Sequence, residues 1–508
     1  MSRRPTAHPA IRVAPAASRW ALALAAAVAA AGAIGVVGEL RGPLNGDAAY
    51  QLDAARRMLG GAGLYRDLID LNPPFVFWLS MPIAALGLDG AGTITAFRFC
   101  VIALAGLSLL LARPALRGRP ALWAGFLLMT LGLPLGYFGE REHLLVMMVF
   151  PLVAFGTVEA EGFAPGTGRA VAAGLLAALG ILLKPMAVVL LLVLTAVRAN
   201  RNRSPRSLLR PEFLAVAAGG AAGVIATLVF TPAYLGVVRE YGALYREFAR
   251  QPLGALLFRD VQMWVVWAAV AGVLAGGRKL PVHHRVRVLI GVSLALFAAA
   301  VSQGKGFGYH YYPALVFAVL TLLELAATPH GMPGGRPVAA RAIAFAALAP
   351  VFWLFGEVAW ARAEGRPTAL AGEQARVAAL VDAEPGAPRL AIVSARIADA
   401  YPVVLRNDYR YVLSFPHAWM AALPPEARGV EALRRRYGED LDTAQPGALV
   451  VRGRNAAGPG DVAVDYIAWL CADPMVRRAL ASYTLTKRVE GFDLYRRSTA
   501  GADACASS

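Results

Sequence analysis

AVAAGLLAALGILLKPMAVVLLLVLTAV, residues 170–197, is a run of 28 residues whose only charge is Lys184. A membrane-crossing helix needs about 20 apolar residues. The run therefore reads as two short segments rather than one span. Both of its flanks are basic, which places both on the same, inner side. Lys184-Pro185 then sits at the outer apex. A charge at the centre of a bilayer costs about 2.5–3.5 kcal/mol, and far less at an apex.

The rest of the chain is built the same way. Of its 508 residues 57% are hydrophobic and 16% charged, where a soluble chain carries about 25% charged residues. Apolar runs of roughly 15–20 residues repeat between short polar breaks, and they lack the alternation of barrel strands. This is a polytopic helical membrane protein. The net charge of +17 does not indicate nucleic acid. The arginines cluster in short loops at 113–119, 198–210, 278–287 and 336–341, which is the positive-inside pattern.

Topology follows from those arginines. Arg3, Arg4, Arg12 and Arg19 precede the first apolar run, so the N-terminus is placed in the cytoplasm. That run is longer than a signal-peptide core and reads as a retained span. About eleven spans result: 20–38, 94–112, 120–137, 144–158, the two segments of 170–197, 212–232, 260–277, 288–302, 313–328 and 342–360. The piece 75–88 starts at Pro73-Pro74 and reads as a juxtamembrane helix. Residues 1–360 form the membrane domain. Residues 361–508 form a small soluble α/β domain outside the membrane, with strands at 389–395, 409–415, 448–453 and within 483–497. Cys100 reads as core. Cys471 and Cys505 could pair, and their spacing matches no metal motif.

Every unusual polar cluster then falls on the outer face: 45–72, 139–143, Lys184, 239–250 and 303–312. Ionisable groups at the ends of membrane helices are expensive and point to function. Only four of the 50 basic residues are lysines, at 184, 279, 305 and 487, and two of those stand at outer apices. A lysine is a compact cation suited to a phosphate, so Lys184 and Lys305 are candidate phosphate ligands. QGKGFGYHYYP (303–313) adds Tyr309, His310 and three glycines that let a backbone approach a ligand. In GEREH (139–143), Glu140, Glu142 and His143 could hold a divalent cation such as Mg or Mn, or form a solvated ion-pair cluster with Arg141. Asp47, near the start of a helical pattern in DAAYQLDAARRMLGGAGLY, reads as an N-cap or as a general base.

The stretch 45–75 carries D-x-x-Y-x-x-x-A-x-x-x-x-L-x-G-x-x-x-Y-x-D followed by N-P-P. It resembles the first outer loop of the GT-C superfamily of polyprenyl-phosphate-dependent glycosyltransferases, in the branch of protein O-mannosyltransferases and lipid A aminoarabinose transferases. Asp47, Tyr50, Ala54, Leu59, Gly61, Tyr65, Asp67 and Pro73-Pro74 stand at matching positions. The resemblance implies that Asp47 is the catalytic base. It implies that Glu140 to His143 build the site or hold a metal, that apical basic residues bind the donor phosphate, and that a soluble C-terminal domain lies outside. Two departures stand out: Ala48 follows Asp47 where many relatives have Glu, and Asn72 precedes Pro-Pro where aminoarabinose transferases tend to have Lys.

The expected function is transfer of a sugar from a polyprenyl-phosphate donor to an envelope glycan or lipid acceptor, with inversion, in a bacterial inner membrane. Asp47 would be the base. Lys184, Lys305, Arg141 and His310 would hold the donor phosphate. Tyr50, Asp67, Asn72, Tyr65 and Tyr309 would line the substrate site. Membrane lipids are the expected surroundings, and nucleic acid is not an expected partner. A flippase would instead place ionisable groups near the midplane and show inverted repeats; the polar groups lie on one face and no repeat is found. A scaffold acting through 361–508 would tolerate loss of Asp47.

Overall fold

Lys184 stands between two helices, Thr167–Leu183 and Val189–Asn202, joined by a short 3-10 turn at Pro185–Val188. The break expected in the 28-residue run is therefore present. The computed structural model describes residues 19–134, 136–202, 209–277, 283–327, 335–366, 369–382, 389–424, 429–453, 464–498 and 504–505. The expectations placed on Arg3, Arg4 and Arg12, and on parts of the loops 198–210 and 278–287, lie outside these residues.

The helices in chain order are α1 (Arg19–Arg41), α2 (Gly46–Leu59), α3 (Phe75–Ala84), α4 (Gly90–Ala112), α5 (Pro120–Leu127), α6 (Arg141–Val158), α7 (Thr167–Leu183), α8 (Val189–Asn202), α9 (Pro211–Phe230), α10 (Ala233–Glu247), α11 (Leu253–Phe258), α12 (Val261–Gly276), α13 (His283–Ser302), α14 (Gly308–Ala326) and α15 (Gly335–Ala363). Among the described residues, seven of them, α1, α4, α6, α9, α13, α14 and α15, are long and apolar enough to cross a membrane. Shorter apolar helices occupy 75–84, 120–132, 167–183, 185–200 and 261–276. The chain is a multi-pass membrane protein. The ten residues of α3 reach about 15 Å, half of a hydrocarbon core, which suits a juxtamembrane helix.

Burial sorts the helices. From His310 to Ala326, α14 is buried on every side, and α6 nearly so. A helix apolar all round belongs at the centre of a bundle. Outer helices turn apolar residues outward, with Phe230 and Leu274 each 75% exposed and Trp353 71%, as lipid-facing surfaces do. Cys100 also lies exposed on α4, so it is not core as expected; its position on the lipid-facing side of the helix explains this. Between helices the contacts are van der Waals and depend on small residues. A Cβ on Gly35 of α1 would fall 1.5 Å from the carbonyl oxygen of Gly132, so only glycine fits that crossing.

After α15 come α16 (Ala369–Val381), α17 (Ile397–Ala400), α18 (Val403–Arg406), α19 (Val430–Ala444), α20 (Tyr466–Cys471) and α21 (Pro474–Leu480). They surround a five-stranded sheet of β1 (Arg389–Val393), β2 (Arg410–Tyr411), β3 (Ala448–Arg452), β4 (Tyr483–Val489) and β5 (Phe492–Arg497), in the order β2-β1-β3-β5-β4. β1 runs parallel to β2 and β3, while β5 is antiparallel to β3 and β4. The apolar runs at 389–393 and 448–452 occupy the centre and are buried there. Cys471 and Cys505 form a disulfide.

The sheet layer caps one end of the bundle. Tyr401 donates its hydroxyl hydrogen to Asp53 Oδ2 at 3.0 Å, Arg56 pairs with Asp408 at 2.7 Å, and the Ile69 amide donates to the Ser414 carbonyl at 2.9 Å. Trp419 packs on Tyr245 and Phe248 of the bundle, with ring centroids 5.4 and 5.1 Å apart.

Candidate active site

α2 starts at Gly46, and its N-cap is Asn45, not Asp47. The Asn45 side-chain oxygen accepts the amides of Asp47 (2.8 Å) and Ala48 (3.3 Å). Asparagine is among the best residues for this role. Its side-chain amide donates to Glu140 Oε1 and to the Gly136 carbonyl, both at 2.7 Å. One residue thus ties the start of α2 to the start of α6. The capping work being done by Asn45, the Asp47 carboxylate is half-buried in the first turn of α2. It has no hydrogen bond or ion pair of its own among the described residues.

The charges around Asp47 come from three other elements. Arg141 and Lys184 act on it as cations and Glu142 as an anion. Burial pushes the Asp47 carboxyl above the ordinary carboxylate range, and Arg141 and Lys184 pull it partly back. Glu140 is pushed well above that range by burial and by the like charges of Asp47 and Glu142. In the loop after α2, burial raises Asp70 to about 6 against the hydrogen bond it accepts from the Asn72 amide.

Lys184 lies at the helix break, its ammonium 2.5 Å from Glu142 Oε1 and 5.8 Å from the centroid of the Tyr309 ring. Glu142 is buried, 1% exposed, and Lys184 is largely covered, at 13%. Taking each ion out of water costs several kcal/mol, so such a pair holds only while both partners stay. Arg141 donates to the Asn72 side-chain oxygen, and Tyr65 donates to the Asn72 carbonyl at 2.6 Å. His310 is buried at the start of α14, its Nε2 3.9 Å from Glu142 Oε1, and neither ring nitrogen has a hydrogen-bond partner. The Tyr309 and Tyr245 hydroxyls face the same charges: Asp47 and Glu142 act on both.

Of the residues expected here, the structure brings together Asp47, Glu140, Arg141, Glu142, Lys184, Tyr309, His310 and Asn72. Others turn out to have different work. Lys305 donates all three ammonium hydrogens to the carbonyls of Tyr245, Arg246 (3.1 Å) and Phe248. It caps the C-terminal end of α10, where the helix dipole favours a cation, and has no hydrogen left for a phosphate. Burial, with the nearby Arg250, lowers its pKa to about 8. The glycines beside it serve the turn: Gly304 and Gly306 have φ of +69° and +65°. A Cβ on Gly308 would meet the Tyr137 hydroxyl. Asp67 is exposed and accepts the Gly63 amide at 2.7 Å, closing a turn. Tyr65 clamps Asn72 and packs against Tyr234 with the rings tilted by 44°. Tyr50 is buried edge-on against Phe77 and Tyr401, 5.9 and 5.5 Å away, and forms a wall between the two layers. Asp53 is the docking partner of Tyr401.

The metal reading fails its fit. His143 accepts the Gly139 amide on Nδ1 (3.0 Å), and its Nε2 lies 2.6 Å from the Thr130 carbonyl, so both nitrogens are taken by backbone. Glu142 is matched by Lys184 and Glu140 by Asn45. Among the described residues no group of three His, Cys, Asp or Glu side chains is placed to hold an ion. Asn45 and Tyr245 were not singled out from sequence. The Asn before a helical run was the available signal for the first of them.

A polytopic bundle capped at one end by a mixed sheet, with an unpaired carboxylate among cations beneath the cap, defines the architecture. The fold is similar to that of ArnT from Cupriavidus metallidurans. The structure of ArnT bound to undecaprenyl phosphate matches with a TM-score of 0.58 at 14% identity, covering 95% of this chain and 98% of that one. Its apo structure matches with a TM-score of 0.56 over the same shares. No protein-family model and no curated protein matches the chain.

Proposed function

We propose that this chain is a GT-C-type membrane glycosyltransferase that moves a sugar from a polyprenyl-phosphate donor to an envelope glycan or lipid acceptor. The observation that carries the reading is the Asp47 carboxylate, left without a partner beside Arg141 and the Lys184–Glu142 pair. The first-loop resemblance and the fold shared with ArnT, solved with undecaprenyl phosphate, supply the donor class.

Asp47 takes the proton of the acceptor hydroxyl or amine. The freed lone pair attacks the anomeric carbon from the face opposite the phosphate, the bond from that carbon to the phosphate oxygen breaks, and its electrons leave on the phosphate. Direct displacement inverts the carbon. Lys184, aimed by Glu142, and Arg141, aimed by Asn72, offset the charge that grows on the leaving phosphate. The buried, unpartnered His310 offers it a further donor. Tyr309 and Tyr245 line the sugar site. The cation is not part of this mechanism.

In this reading the four short helices 120–132, 167–183, 185–200 and 261–276 also cross, giving eleven crossings with the seven long ones. The N-terminus is cytoplasmic, and residues 361–508 form a periplasmic domain on the membrane domain 1–360, in a bacterial inner membrane. The Cys471–Cys505 disulfide suits an oxidising compartment.

The test is complementation of a knockout strain with wild type and Asp47→Asn, with envelope glycans read by mass spectrometry and membrane levels matched. One sugar mass should vanish in the knockout, return with wild type and stay absent with Asp47→Asn. Full return with Asp47→Asn would refute the assignment.

A further inference from the structure

A cleft of about 710 Å³ opens between the outer end of α1, the first turns of α4, and α16 and α18 of the sheet layer. Asp47, Arg141 and Lys184 do not line it. Its walls combine apolar groups, such as Leu40, Ile94 and Ala378, with three arginines: Arg41, Arg98 and Arg406. The one acid on its wall, Asp382, accepts the hydroxyl of Tyr409. Arg98 is anchored by donating to the carbonyls of Leu40 (2.9 Å) and Gly42 (2.5 Å), while its Nε is buried without a hydrogen-bond partner. Arg41 donates to the Ala363 carbonyl at 2.5 Å. The Arg406 side chain is exposed, has no hydrogen bond or ion pair among the described residues, and lies close enough to Arg98 to act on it as a like charge. The nearby Glu39 pairs with Arg362 at 2.6 Å and also acts on Arg98 as an opposite charge, while Arg41 and Arg406 have no carboxylate partner among the described residues.

Like charges held together beside a cavity are unfavourable until an anion joins them. The cleft's depth says which kind. It lies where two candidate membrane spans meet the sheet layer, at the level of lipid headgroups. From it, exposed apolar side chains run along those spans: Val37 and Leu40 on α1, Phe99 on α4. A ligand with a phosphate in the cleft and hydrocarbon along α1 and α4 satisfies both surfaces. We infer that this cleft binds the phosphate of an anionic lipid headgroup, in a site separate from the one around Asp47. The chain segment 40–46 lies between the two, since Leu44 lines the cleft and Asn45 caps α2. The inference stands on the cleft alone and does not depend on sugar transfer.

The test is native mass spectrometry of the full-length purified chain titrated with phosphatidylglycerol, with phosphatidylcholine, and with glycerol phosphate. Wild type should retain phosphatidylglycerol in preference to phosphatidylcholine, and glycerol phosphate should not displace it. Arg406→Gln should weaken retention by roughly fivefold, and Arg41→Gln with Arg406→Gln by roughly twentyfold, at about one basic-residue contribution each. Both residues are at the surface, so the variants report binding rather than folding; Arg98, which holds the end of α1, is left in place. Equal retention of the two lipids, or unchanged retention in the double variant, would overturn the inference. Displacement by glycerol phosphate at equal concentration would overturn the lipid assignment in favour of a soluble phosphate.

Discussion

The two ends of the helical bundle use the same residue types to opposite effect. At the end away from the sheet, charges are closed into pairs. Arg119 meets Glu161 at 2.6 Å, and Arg285 bridges Glu161 and Glu324 at 3.2 and 2.9 Å. Arg198 holds Glu159 and Glu212 at 3.0 and 3.3 Å, and Arg210 shares Glu212 at 2.9 Å. At the sheet end, Asp47 has no such partner, His310 has none, and Lys184 is paired yet turned toward Tyr309. The pairs at the far end tie helix ends together. Unpaired charges in a buried place cost stability and mark a candidate site.

The largest effect should come from the unpaired carboxylate. Asp47→Asn should lower transfer by about 10²–10⁴-fold, the range for removing a general base, while leaving the protein's melting temperature nearly unchanged. The pH profile sharpens this. A raised Asp47 carboxyl keeps its proton to higher pH, and a base acts only without it. Transfer should therefore fall on the acid side at a pH above 3.8, the ordinary value for the group. In that same window the folded state binds the proton more tightly than the unfolded chain. Its contribution to stability therefore grows as pH falls. Loss of activity accompanied by loss of the fold in that window would break the account.

Next comes Lys184. Lys184→Met should cost about 3–5 kcal/mol by leaving Glu142 buried and unpaired, together with a loss of transfer. Adding Glu142→Leu should restore thermal stability and leave transfer low. Recovery of both would make the pair a structural one like those at the far end. Arg198→Met, at that far end, should cost about 2 kcal/mol because Glu212 keeps Arg210, with transfer per folded molecule unchanged. The smallest effect belongs to Lys305→Ala: about 1–2 kcal/mol for uncapping α10, and less than tenfold in transfer. A hundredfold loss would return Lys305 to the phosphate.

The helical architecture could be read because hydrophobic run length and arginine placement are local signals. The Lys184-Pro185 break, the short α3 and the strands at 389–393 and 448–452 all follow from them. The site was readable only in part. Asp47, Glu142, Arg141 and Lys184 were exposed as anomalies by their charge in apolar surroundings. What sequence could not separate was an apical lysine that faces the site from one that caps a helix. Lys184 and Lys305 look alike until the carbonyls of Tyr245 and Phe248 are seen converging on the second. His143 was misread for the same reason, since the partners of its ring, Gly139 and Thr130, are backbone groups that composition does not reveal. Tyr50, Tyr65 and Asp67 hold the loop's shape, so residues that carry a resemblance can be scaffold.

Binding and turnover measured on the same variant separate a base from a phosphate ligand. The full chain would be titrated with polyprenyl phosphate as wild type, Asp47→Asn and Lys184→Met, and transfer measured on each. Asp47→Asn should bind the phosphate as tightly as wild type and fail to turn over, whereas Lys184→Met should bind at least tenfold more weakly, a difference of about 1.4 kcal/mol. Weak binding by Asp47→Asn with normal turnover at saturation would contradict the assignment of Asp47 as the base.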